Sequence, residues 1–241
     1  MTKLVVVTGA SRGLGLTICQ QLLVSGYHVL ALARSQSPML TGLLAEYSST
    51  LNFVAADLSD LENISSLCSK LVQQYGRPYA LVNNAAVGYD GVLATMHNSE
   101  ITKLLDLNIQ APILLCKYLL RPMLLNQNGR IVNISSIIAR TGFNGLSVYA
   151  ASKSALEGFS KSLAREVGKA GITVNCVAPG YMQTDMTQSL QGDKLESIKR
   201  RSPLGRLATP DDAAAAVLYL LSEQAAAITG SIITVDAGSA A

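Results

Sequence analysis

Seven short runs in this chain are apolar at nearly every position rather than at every second one: KLVVVT, HVLALA, NFVAAD, YALVNN, RIVNIS, ITVNCV and SIITVD. A strand with one wet face alternates apolar and polar residues. A strand covered on both faces reads as a continuous run of Val, Ile and Leu. Helical patterns of roughly 10–20 residues separate the runs, long enough for the crossovers that parallel strands require. The pattern predicts an α/β fold, a doubly wound parallel sheet of about seven strands with helices on both faces. No Pro/Ser-rich linker or low-complexity segment interrupts it, so residues 1–241 are expected to form a single domain. One long polar interruption, 184–206, separates the sixth strand from the helix that follows and is expected to act as a substrate lid.

Composition narrows the functions such a sheet can serve. The net charge is only +3 and the basic residues are scattered, which makes nucleic acid a poor partner. The four cysteines, Cys19, Cys68, Cys116 and Cys176, form no CxxC pair and read as reduced, buried thiols of a cytoplasmic protein. With only two histidines, His28 and His97, a His/Cys metal site is not expected. The first apolar run is too short for a signal peptide. The longest apolar segment, IQAPILLCKYLLRPMLL, carries Lys117, Arg121 and two prolines and reads as a core helix rather than a membrane span.

VVVTGASRGLGLTICQQLL runs strand, glycine loop, helix, with Gly9, Gly13 and Gly15 spaced GxxxGxG. Glycines let the backbone approach a pyrophosphate, and the helix N-terminus offers N–H groups to that anion. This makes the sheet a Rossmann-type dinucleotide domain. The same letters, GASRG, also match G-x-S-x-G, which would make Ser11 a hydrolase nucleophile. That reading needs an acid and then a histidine late in the chain, and His97 leaves more than half the chain behind it. The second strand ends in Ala33-Arg34 rather than in the acid that would bind a ribose 2′-hydroxyl. Arg34, with Arg12 in the loop, suits a 2′-phosphate instead and points to NADP(H).

In open α/β sheets the ligand lies beyond the carboxyl ends of the strands. Several of those ends are polar here: Asp57, Asn83 and Asn84, Ser135 and Ser136, then Pro179 and Gly180. TGxxxGxG at 8–15, NNAA at 83–86, Asn108, Ser136, YxxxK at 149–153 and PG at 179–180 together resemble the short-chain dehydrogenase/reductase family, over essentially the whole chain. Within it the segments SKSLAREV, GITVN, PGYMQTDMT, PLGR and ITGSIITVDAG are most similar to 3-oxoacyl-[acyl-carrier-protein] reductases.

The resemblance implies a catalytic tetrad of Asn108, Ser136, Tyr149 and Lys153. It also implies a cofactor shell of Thr8, Gly9, Ser11, Arg12, Gly13, Leu14, Gly15, Arg34, Asp57, Leu58, Asn84, Ala85, Tyr149, Lys153, Pro179, Gly180 and Thr184. Ser136 would hydrogen-bond the substrate oxygen and Tyr149 would deliver the proton. Asn108 would hold a water for proton resupply, and Lys153 would bind the nicotinamide ribose. Tyr149 and Lys153 are four apart, so they share one helix face. A phenol needs roughly 3–4 kcal/mol of anion stabilisation to work near neutrality. An ammonium about 4 Å away supplies on the order of 4 kcal/mol at an effective dielectric of ~20, so the lysine is expected to depress the tyrosine.

The implied activity is reduction of a 3-oxoacyl thioester, with an acyl carrier protein as partner and a homotetramer as assembly. Met182, Met186, Leu190 and Leu195 suit an acyl chain. Arg130, Lys169 and the run Lys199-Arg200-Arg201 would meet an acidic carrier, although Gln127, Asn128 and Ala170 are uncharged. Reduction of another ketone and a non-catalytic NADP-sensing module are the competing readings. The complete tetrad argues against the second.

Overall fold

The computed structural model describes residues 3–182, 199–200 and 202–241. All seven expected strands form: β1 Leu4–Thr8, β2 His28–Ala33, β3 Leu51–Ala55, β4 Ala80–Asn83, β5 Gly129–Ile134, β6 Ile172–Pro179 and β7 Ile232–Val235. Every neighbouring pair is parallel, and the order is β3-β2-β1-β4-β5-β6-β7. The order reverses between β1 and β4. The crevice over their carboxyl ends is where such sheets bind ligands.

The continuous apolar runs have the expected cause. In β1, Val5 and Val7 enter one core and Val6 the other; in β2, Val29 and Ala31 part from Leu30 and Leu32 in the same way. Helices α1 Gly13–Val24, α2 Pro38–Glu46 and α8 Pro210–Leu221 cover the first face. Helices α3 Ile64–Tyr75, α5 Ala111–Asn126 and α7 Ser147–Val167 cover the second. Each fully buried Leu or Ile, such as Leu22 on one side and Leu119 on the other, contributes roughly 1.5–3 kcal/mol. Cys19 lies in the first core and Cys68 and Cys116 in the second, all as free thiols. Among the described residues no helix is long and apolar enough to cross a membrane.

Two further helices shape the site. Helix α4, Asn98–Leu105, runs directly into a π-helical turn, Asp106–Gln110, and then into α5. Such turns displace one residue from the α ladder and are frequent at functional positions. Helix α6, Ile138–Thr141, is a single turn just beyond β5.

Candidate active site

Thr8 closes β1 and ties the glycine loop to the end of β4. Its hydroxyl accepts from the backbone N–H groups of Asn84 and Ala85, both at 2.9 Å. The Asn84 amide returns two bonds, to Thr8 O at 2.9 Å and Gly9 O at 3.2 Å. Gly9 and Gly13 take left-handed backbone, with φ 65° and 52°. Gly15 opens the first turn of α1 so close to the loop that a Cβ there would lie 2.2 Å from Gly9 O. The N-cap of α1, Arg12, makes no side-chain cap bond, and the first turn carries no acid. An anion placed there therefore meets a positive helix end and no competing carboxylate.

Asp57 follows β3 and spends its carboxylate on a turn, accepting from Ser59 N at 3.0 Å and Ser59 Oγ at 2.6 Å. These bonds hold its carboxyl below the usual carboxylate range, and the nearby Arg34 guanidinium pulls the same way. Arg34 itself is exposed just after β2. Leu14 and Leu58 are buried among core side chains, so only their main chain is available to a ligand. Thr184, Met186, Leu190, Leu195, Arg201 and most of the lid expected at 184–206 lie outside the described residues.

Across the crevice, β5 delivers Ser136, and α7 carries Tyr149 and Lys153 on one face. The Ser136 hydroxyl accepts from Ile138 N at 3.3 Å and lies close enough to the Tyr149 phenol to favour its ionised form. Asn108, on the π turn, is buried and pairs with Val87 as one backbone would with another. It accepts from Val87 N at 2.9 Å and donates to Val87 O at 2.8 Å. Its amide also reaches Ser152 Oγ at 3.2 Å, and Ser152 donates to Tyr149 O at 2.7 Å. Pro179 O accepts from Ile137 N at 3.0 Å, which draws the end of β6 against the Ser136 turn.

The electrostatics of Tyr149 and Lys153 differ from the expectation. Lys153 Nζ donates to Ile134 O at 2.8 Å and lies 5.5 Å from the centre of the Tyr149 ring. Burial pushes the Tyr149 phenol up to about 12, against the smaller opposing pull of nearby Ser136. Burial likewise brings Lys153 down to about 8. The helix spacing was right, but desolvation outweighs the attraction between the two groups in the free protein.

Arg130 and Lys169, expected near a carrier, sit elsewhere. Arg130 is the second residue of β5 and Lys169 precedes β6, both at the amino edge of the sheet, away from the crevice. Arg130 is buried, paired with Glu223 at 3.3 Å and held 5.5 Å over the Tyr79 ring.

A family model described as Enoyl-(Acyl carrier protein) reductase matches residues 9–240. The 3-oxoacyl-[acyl-carrier-protein] reductase of Escherichia coli (strain K12) is 38% identical over 237 residues, 98% of this chain and 96% of that one. The chain belongs to the short-chain dehydrogenase/reductase family. As a member of this family of oxidoreductases it also resembles the acetoacetyl-CoA reductase of an Acinetobacter strain, at 36% identity over 98% of this chain and 97% of that one. Among solved structures, an NAD(P)-dependent gluconate 5-dehydrogenase from Beutenbergia cavernae, with NADP bound at low occupancy, superposes with a TM-score of 0.93. It is 33% identical, covering 98% of this chain and 96% of that one.

Three features around this candidate site had no motif of their own in the sequence: the π turn under Asn108, Ser152 beneath Tyr149, and Glu157. Glu157 lies one turn beyond Lys153 on the same face of α7 and bonds Ser135. Its i+8 spacing from Tyr149 was the available signal.

Proposed function

We propose that the protein uses NADPH to reduce a 3-oxoacyl thioester, carried on an acyl carrier protein, to the 3-hydroxyacyl form. The placement of Ser136 beside the Tyr149 phenol, with buried Lys153 one turn further along α7, carries the reading. The residues present fit the cofactor. The uncapped first turn of α1 suits a pyrophosphate, held by Thr8, Gly9, Ser11, Arg12, Gly13, Gly15 and the main chain of Leu14. Arg34 and Arg12 suit a 2′-phosphate. Asp57, the main chain of Leu58, Asn84 and Ala85 would border the adenine half, and Pro179 and Gly180 the nicotinamide half. When bound, the nicotinamide supplies the hydride.

Ser136 then donates to the substrate oxygen, and Tyr149 passes its proton to that oxygen as negative charge develops. A phenol near 12 stays protonated across the neutral range. An alkoxide is a stronger base than its phenolate, so transfer runs toward the reduced product. The Lys153 ammonium offsets the phenolate left behind. Asn108 fixes the loop after β4 and holds the water that returns the proton.

Lys153 sets the pH dependence. Below about 8 it is charged; as pH rises through about 8 the buried site releases the proton that an unfolded chain would keep up to its ordinary 10.5. Within that window this group adds to stability as pH rises, but it loses the charge that offsets the phenolate. The kcat for reduction should be flat below about pH 8 and decline above it. A profile level to pH 10 would detach Lys153 from the proton step.

Cofactor choice rests on Arg34 and Arg12. NADPH should exceed NADH at least tenfold in kcat/KM, about 1.4 kcal/mol, and Arg34→Asp should erase the difference. Equal use of both cofactors by the unchanged protein would overturn the NADPH assignment.

The substrate is tested by comparing one acyl group on carrier protein and on a small thioester. The carrier form should show the higher kcat/KM. The gap should narrow with salt and after Lys199, Arg200 and Arg201 are replaced by Ala, because screening shortens to about 8 Å at physiological ionic strength. A second reading, a reductase of free thioesters or other ketones, is favoured by the placement of Arg130 and Lys169 at the far edge. Equal rates at low salt would select it. Assembly as a homotetramer is part of the proposal. Among the described residues β7 ends the sheet with its side chains only partly covered, an edge that a second copy would protect.

A further inference from the structure

Glu157 is a nearly buried carboxylate with its side chain 10% exposed, and no step proposed above uses it. It lies on α7 at i+8 from Tyr149 and i+4 from Lys153, so all three share a face. One carboxylate oxygen accepts from Ser135 Oγ at 2.9 Å; the other accepts from Arg140 Nε at 3.3 Å. These two donors flank Ser136, from the end of β5 and from α6. Arg140 also reaches Thr234 of β7 at 3.5 Å. A third tie crosses the same gap, from Ser154 Oγ to Ala139 O at 2.8 Å.

A four-residue helix has no stability of its own, so its place is set by what holds it. The Ser136 hydroxyl receives the N–H of Ile138, inside that turn. A shift of α6 along α7 therefore moves Ser136 relative to Tyr149. Burying an ion pair is a poor route to stability, since an apolar pair of equal volume does as well or better. What it provides is a fixed direction and length from two oxygens to two donors.

We infer that Glu157, through Ser135 and Arg140, is a positioning residue that sets the Ser136 hydroxyl against the Tyr149 phenol. The inference rests on the function proposed above. Glu157→Gln keeps the size of the side chain and its acceptor for Ser135, and withdraws the charge that holds Arg140. Arg140→Ala removes the other partner at a half-exposed side chain, where loss of the fold is not expected.

The experiment measures kcat, NADPH dissociation constant and melting temperature for Glu157→Gln, Arg140→Ala and Tyr149→Phe. The two positioning variants should lose roughly 10–100-fold in kcat, with cofactor affinity unchanged. Arg140→Lys, and guanidinium added to Arg140→Ala at sub-denaturing concentration, should restore part of the rate. Wild-type kcat in Arg140→Ala overturns the inference. So does a rate loss matched by weakened cofactor binding and not relieved by guanidinium. Tyr149→Phe separates the two levels: if it is inactive while Arg140→Ala is normal, only the positioning role fails; if it turns over normally, the proposed function fails.

Discussion

Replacing Tyr149 by phenylalanine is expected to lower kcat at least ~10²-fold, the low end for loss of a general acid, and to leave NADPH affinity unchanged. The ring keeps its packing: its edge lies 3.7 Å from the position of a Cβ on Gly88, and α7 continues well beyond it. What disappears is the hydroxyl beside Ser136. Lys153, on the same helix face, is turned to Ile134 O and does not take its place. Single-turnover rates with NADPH and a 3-oxoacyl thioester read the effect directly. Normal turnover by the phenylalanine variant would remove Tyr149 from the chemistry.

A methyl group at position 15 is expected to be as damaging, by a different route. In Gly15→Ala the new Cβ would lie 2.2 Å from Gly9 O and 2.5 Å from Asn84 Nδ2. Real Cβ atoms do not approach backbone so closely, and Gly9 is itself fixed by Asn84. Either the first turn of α1 or the loop after β1 must move. A displacement near 1 Å at a positioning element costs on the order of 10²-fold, so NADPH affinity should weaken by about that factor and the melting temperature should fall. Gly42→Ala is the matched control. It places its methyl in open space on α2 and should cost nothing. Wild-type NADPH binding by Gly15→Ala would show that the loop is not the cradle proposed for the pyrophosphate.

The strands were legible because β1, β2, β4, β5 and β6 are buried on both faces, so their apolar runs had no alternation to mistake for a helix. The site was legible where it depends on chain order alone: Gly9, Gly13 and Gly15 after β1, Asn84 after β4, Ser136 after β5, and the four-residue step from Tyr149 to Lys153. It was illegible where the answer depends on residues distant in sequence. DLNIQ at 106–110 reads as ordinary helix, and only its pairing with Val87 and Ser152 gives Asn108 its setting. Tyr149 and Lys153 have shifts governed by burial, which no local window reports. Arg130 reads as a surface cation and is instead enclosed by Tyr79 and by Glu223, 93 residues away. Asp57 and Asn84 proved to be turn and loop fasteners in their own right, which is compatible with bordering a ligand.

The four thiols give the sheet a built-in clock for its own breathing. Burial pushes Cys19, Cys68 and Cys116 up to about 12 and Cys176 up to about 11, so none presents a thiolate while the fold is closed. Alkylation then proceeds only through openings of the layer that covers each one. Cys19 belongs to the layer of α1 and α8, and Cys68 and Cys116 to that of α3 and α5. The order in which an alkylating reagent marks them is therefore the order in which the two sides of the sheet come apart.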